Sequence, residues 1–173
     1  MRKLKFALIG TGGIAQTYAQ AFQTSDCCRL VAVADVNENS AKAFAEPFGA
    51  KFFADYKTLA ETSEIDAVIV STPPNTHPEI TMYFMRRGAN VLCEKPLCLS
   101  VAEAKQMIEC AEKSNVVFTM ATKFRYVEDV IKAKAMMPPA CWATSCSLKM
   151  RSRRGLICRS AGIRIKKSRA AAF

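Results

Sequence analysis

The sequence predicts an α/β fold, a doubly wound parallel sheet, and three observations carry that expectation. Short apolar runs alternate with helix-like stretches from the first residues onward. The runs are nearly continuous in apolar residues, as strands covered on both faces are. A glycine-rich turn separates the first run from the first helix-like stretch. Right-handed crossovers between such strands place helices on both sides of one sheet.

Each element follows in order. "LKFALIG", residues 4–10, is the first strand and runs into glycines, and the stretch from Ile14 to about Thr24 is a helix. "RLVAVAD", residues 29–35, is the second strand, and "NSAKAFAEPF", residues 39–48, reads as helix despite Pro47. "KFFAD", residues 51–55, is a weaker strand, whereas "DAVIVST", residues 66–72, is the clearest buried one, closed by Pro73 and Pro74. A helix then starts near Pro78, a residue favoured in the first turn, and ends at Gly88. "NVLCE", residues 90–94, is a strand. Ser100 and Glu103 have capping-box spacing at the start of the next helix, with Ala104, Met107, Ile108 and Ala111 expected on its buried face. "NVVFTM", residues 115–120, is the last strand and "VEDVIKAKAMM", residues 127–137, the last helix. These elements divide the chain into a nucleotide-binding domain over 1–120, a connecting segment over 121–137 and a tail over 138–173.

Composition narrows the function classes. Half of the 173 residues are apolar, which suits a packed core, and no apolar run approaches the roughly 20 residues of a membrane helix. The net charge of +10 suggests a nucleic-acid partner, but residues 138–173 hold nine Lys/Arg and no acid, so the excess belongs to the tail. The eight cysteines form no CxxC pair and have a single histidine beside them, a pattern that argues against zinc and fits a reducing cytoplasm. Arg2, Lys3 and Lys5 before an apolar run imitate a secretion signal; cleavage there would remove the first strand, so the chain is expected to be cytoplasmic.

The glycine turn carries the chemistry. Gly10, Thr11, Gly12, Gly13, Ile14 and Ala15 fit G-x-G-x-x-G/A, and Asp35 ends the next strand twenty residues after Ala15. Gly10 permits the tight turn, Gly12 lets the backbone approach a pyrophosphate, and Ala15 allows close helix–strand packing. The helix N-terminus offers N–H groups and a positive dipole end to phosphate. Asp35 would accept hydrogen bonds from the adenosine ribose, which favours NAD over NADP; the alternative is a plain helix N-cap.

Two further clusters, "STPPNTHPEI" (71–80) and "GANVLCEKPLCLSVAEAKQMI" (88–108), resemble the Gfo/Idh/MocA family of NAD(P)-dependent oxidoreductases, over residues 3 to about 137. The resemblance implies a Rossmann-type domain followed by an α+β domain, which is essentially missing here. It implies that Ser71, Thr72, Pro73, Asn75 and His77 line the dinucleotide. It puts Glu94 near the nicotinamide ribose, Lys95 on the substrate hydroxyl, a cis bond before Pro96, and Arg125 of "KFRY" close to the active site. The implied activity is hydride transfer on a sugar, cyclitol or related polyol, with Lys95 assisting the proton. Full-length members are expected to be homo-oligomers. The residues alone leave Lys95 open as a solvated loop lysine paired with Glu94, and His77 as a helix-terminal or core residue.

After Met137 the acids and the apolar period vanish. A one-step change of reading frame at the 137/138 junction permits a peptide that resembles the family's continuation, so residues 138–173 are read as an out-of-frame or aberrant tail on a truncated chain. A chain of that kind would be a non-catalytic dinucleotide-binding module. A genuine basic tail would instead bind nucleic acid.

Overall fold

Six parallel strands, in the order β3-β2-β1-β4-β5-β6, make the sheet in a computed structural model that describes residues 2–136. The expected tail, residues 138–173, lies outside the described residues. The strands are β1 Leu4–Ile9, β2 Cys28–Ala34, β3 Lys51–Phe53, β4 Ala67–Val70, β5 Asn90–Cys93 and β6 Phe118–Met120. The helices are α1 Ala15–Thr24, α2 Glu38–Ala45, α3 Tyr56–Thr62, α4 His77–Met85, α5 Val101–Ser114 and α6 Glu128–Met136. The chain winds outward from β1 to β3, returns to β4 beside β1, and winds outward again to β6. That reversal opens a crevice between the carboxyl ends of β1 and β4.

Alternation along the central strands feeds two cores. Ala7, Ile9, Val68, Val70, Val91 and Cys93 face α3, α4 and α5, where Leu59, Phe84 and Met107 are fully buried. Leu8, Leu30, Val33 and Ile69 face the other way, onto Ala15 and Ala19 of α1 and Phe44 of α2. Both faces of β1 and β4 are therefore covered, which explains their unbroken apolar runs.

Three local differences from the sequence reading have physical causes. Helix α3 is an addition: its seven residues bury only Leu59 completely, too few for a visible apolar stripe, and Asp55 starts it by accepting from the Thr58 N–H at 3.1 Å. Pro47 does not lie within α2, which stops at Ala45; a 3-10 turn over Glu46–Phe48 follows and ends at Gly49 with φ +60°. In α5 the buried residues are Met107, Cys110 and Ala111; Met107 and Ala111 are as expected, whereas Ile108 is 49% exposed and Cys110 is buried in its stead. The expected capping box is present, with Ser100 accepting from the Glu103 N–H and Glu103 from the Ser100 N–H. Asn115 closes α5 in the left-handed region at φ +51°, and β6 begins only at Phe118.

The first compact unit runs through Lys123. In the second unit, Phe124 onward, Glu128 and Lys132 of α6 form an i,i+4 ion pair at 2.7 Å.

Candidate functional site

The crevice is built from the turns that leave β1, β2, β4 and β5. Gly10 has φ +92°, and a Cβ there would stand 2.8 Å from the Ser71 carbonyl oxygen. Only glycine fits so close to the β4 turn. The Ser71 hydroxyl lies within donating distance of the carbonyls of Ile9 (3.1 Å) and Gly10 (2.8 Å), which hooks the two turns together. A Cβ on Gly12 or Gly13 would meet nothing within 4 Å. Open space thus lies over the backbone of that turn, and α1 behind it carries no side-chain cap on Ile14. Ala15 is fully buried against the sheet.

Asp35 faces the glycine turn. Its Oδ2 accepts from the Thr11 N–H at 2.7 Å and the Thr11 hydroxyl at 2.8 Å, and its Oδ1 accepts from the Asn37 N–H at 2.9 Å. Partial burial acts to raise its pKa; the donors on Asn37 and Thr11 outweigh that and hold the carboxyl below the usual range. The helix-cap alternative does not hold, because Asn37 caps α2 by accepting from the Ser40 N–H. A carboxylate has about four acceptor positions. Three are used, and the anion keeps capacity for a further hydroxyl.

His77 joins the β4 turn to the loop after β5. Its Nε2 lies 2.8 Å from the Thr72 carbonyl oxygen, and its Nδ1 3.0 and 3.2 Å from those of Pro96 and Leu97. The ring is 1% exposed. Both nitrogens face backbone, so His77 holds the crevice loops together from beneath and presents no free edge to a ligand. Thr72, Pro73 and Asn75 belong to the turn above it, where the Thr76 hydroxyl lies 2.7 Å from both Thr72 Oγ1 and the Pro73 carbonyl.

Glu94 and Lys95 follow β5. Glu94 Oε1 accepts from the Tyr18 hydroxyl at 2.6 Å and its Oε2 from the Lys95 N–H at 3.0 Å. Lys95 is exposed and is joined to Pro96 by a cis peptide bond. Among the described residues its ammonium makes no ion pair, so the expected alternative of pairing with Glu94 is not what the side chains do. Burial and the adjacent Glu94 carboxylate push the Tyr18 phenol upward, which keeps it a hydrogen-bond donor at physiological pH. Tyr18 is the residue that sequence reasoning missed. It lies 76 positions from Glu94, and no local pattern marks it. Burial, followed by the charges of Glu94 and Cys98, raises the Cys93 thiol to about 12, so it packs as a small neutral hydrophobe.

One loop cluster thus brings together the glycine turn, Thr11, Asp35, Ser71, Thr72, Pro73, Asn75, Glu94 and Lys95. Arg125 stands in the turn Lys123–Tyr126, of which it belongs to the second unit. The group implied by this arrangement is a nicotinamide dinucleotide. The residues present fit it: a glycine cradle with room above it, an uncapped helix N-terminus for the diphosphate, and an ionised carboxylate at the end of β2.

Comparison with known proteins agrees. The family model described as oxidoreductase family, NAD-binding Rossmann fold, matches residues 4–122. Glucose-6-phosphate 3-dehydrogenase of Bacillus subtilis is 35% identical over 133 residues, covering 77% of this chain and 37% of the relative. Myo-inositol 2-dehydrogenase of Thermotoga maritima is 31% identical over 132 residues, covering 76% and 40%. The WlbA dehydrogenase of Chromobacterium violaceum, solved with NADH and UDP-GlcNAcA, superposes with a TM-score of 0.76 at 28% identity, covering 79% of this chain and 40% of that one. The chain therefore spans about 40% of the length of the relatives it matches. Among the described residues no helix is long and apolar enough to cross a membrane. With its glycine turn, sheet order and crevice loops, the chain belongs to the Gfo/Idh/MocA oxidoreductase family and carries that family's NAD-binding Rossmann domain.

Proposed function

We propose that this chain is the cofactor-binding half of an NAD-dependent dehydrogenase that acts on a sugar, cyclitol or related polyol. The observation that carries the reading is the open cradle at Gly12 and Gly13 facing the ionised Asp35. The amides of the turn and of the α1 N-terminus hold the diphosphate, and Asp35 accepts from a ribose hydroxyl while repelling a 2′-phosphate. Ser71, Thr72, Pro73 and Asn75 wall the crevice, and His77 keeps that wall in place. Glu94, oriented by Tyr18 and by the Lys95 N–H, accepts from the nicotinamide-side ribose. The bound dinucleotide supplies the hydride acceptor. Lys95, exposed at the rim and free of an acid partner among the described residues, reaches the substrate hydroxyl and assists the departure of its proton. Residues beyond the matched span complete specificity. Such an enzyme works in the cytoplasm as a homo-oligomer.

Titration of NADH fluorescence with the full 173-residue chain tests this reading. Saturable binding is expected, tighter than that of NADPH, with the preference lost in Asp35→Ala. Absence of binding to either dinucleotide would overturn it. A polyol panel with NAD distinguishes turnover from binding alone.

A further inference from the structure

Ser25, Cys27 and Cys28 wrap the turn between α1 and β2 around one oxygen atom. The Ser25 hydroxyl oxygen accepts from the Cys27 N–H at 3.3 Å, the Cys28 N–H at 3.2 Å and the Cys28 thiol at 3.0 Å. The Cys27 sulfur lies 3.3 Å from the same oxygen. Adjacent side chains on an extended strand point to opposite faces. Here the turn overrides that divergence and brings two thiols onto one side. Both are free, Cys27 exposed and Cys28 half-buried, so solvent reaches the pair.

We propose that this thiol pair is a binding site for copper(I). Soft thiolate ligands select copper(I), zinc or iron–sulfur clusters. A structural zinc site closes with four ligands. Among the described residues no group of three His, Cys, Asp or Glu side chains is placed to hold a metal, so the pair suits an ion satisfied by two sulfurs. Each sulfur gives up its proton to solvent and donates an electron pair to the ion. Two S–H bonds break, two Cu–S bonds form, and copper stays in its +1 state. The complex carries a net negative charge. Lys3, whose ammonium lies 3.4 Å from the Ser25 carbonyl oxygen, supplies a cation at the turn, and Asp26 within the turn opposes it from an exposed position.

The site is remote from the crevice. The Cys27 carbonyl accepts from the Leu4 N–H at 2.9 Å, and Leu4 is the register partner of Cys28, so the pair sits at the amino ends of β1 and β2. The dinucleotide cradle lies at their carboxyl ends. Copper loading therefore leaves NADH affinity unchanged, and failure of either proposal leaves the other standing.

The test uses the full chain with Cys141, Cys146 and Cys158 replaced by serine, reduced and titrated with copper(I) against bathocuproine disulfonate. One equivalent is expected to stay with the protein, with two sulfur neighbours in its X-ray absorption spectrum. Cys27→Ser and Cys28→Ser, each added singly, are expected to release that equivalent, while Cys98→Ser retains it; circular dichroism confirms that each variant is folded. Loss of all copper to the chelator before either substitution, or full retention after both, would overturn the proposal.

Discussion

A methyl group on Gly10 would stand 2.8 Å from the Ser71 carbonyl on a backbone at φ +92°, whereas on Gly12 it would meet nothing within 4 Å. Two glycines of one motif thus serve folding and binding separately. Gly10→Ala is expected to lower stability by about 1–3 kcal/mol, the usual cost of a strained backbone position, before any displacement of the β4 turn. Gly12→Val is expected to leave the melting temperature nearly unchanged and to weaken NADH binding by roughly tenfold or more, a loss of about 1.4 kcal/mol. Thermal melts and fluorescence titrations on both variants separate the two effects; equal loss of stability in each would remove the distinction. The motif was legible because its parts lie within six residues and one strand of each other. Tyr18 of α1 was not, because its partner Glu94 follows β5, and only the folded sheet makes the two neighbours.

Helix α5 shows how far local rules reach. Its capping box, its 14-residue length and its αL stop at Asn115 all follow from short-range chemistry. Ser100→Ala removes the acceptor for the Glu103 N–H and is expected to cost about 1 kcal/mol in denaturant unfolding. An unchanged midpoint would show that the cap is replaced by water. The buried face of α5 was legible at Met107 and Ala111 but not at Cys110, which is set by α4, whose Met82 carbonyl receives the Cys110 thiol at 3.8 Å. Helix α3 escaped for the opposite reason. Its polar sequence is held by an Asp55 cap and one buried leucine, and the crossover between β3 and β4 supplies the rest.

Across the molecule, four carboxylates, Asp35, Asp55, Glu64 and Asp66, are held in their ionised form. The Lys5 ammonium lowers the pKa of Glu64, and the Lys5 N–H lowers that of Asp66. At Asp35 and Asp55 burial opposes the charge, but neighbouring N–H donors win. Folded values below the unfolded ones, near 4, mean that this stability is present above about pH 4–5 and is lost as pH falls through the folded values. The melting temperature is expected to be flat near neutrality and to drop below about pH 4, with salt weakening the share from exposed Glu64 and Asp66. A melting temperature unchanged down to pH 3 would contradict this. The doubly wound parallel sheet was foreseeable from alternation and handedness, since few topologies obey both, whereas the strand order comes from the structure.

The hydrogen bond from Tyr18 to Glu94 ties α1, one wall of the crevice, to the end of β5 opposite it. The protein's own side chains span the gap, so its width is set by the fold. An incoming dinucleotide then meets a rigid slot, with little ordering left to oppose association. Capture should accordingly resemble docking into a mould, with a rate limited by encounter and orientation and no slow closing phase.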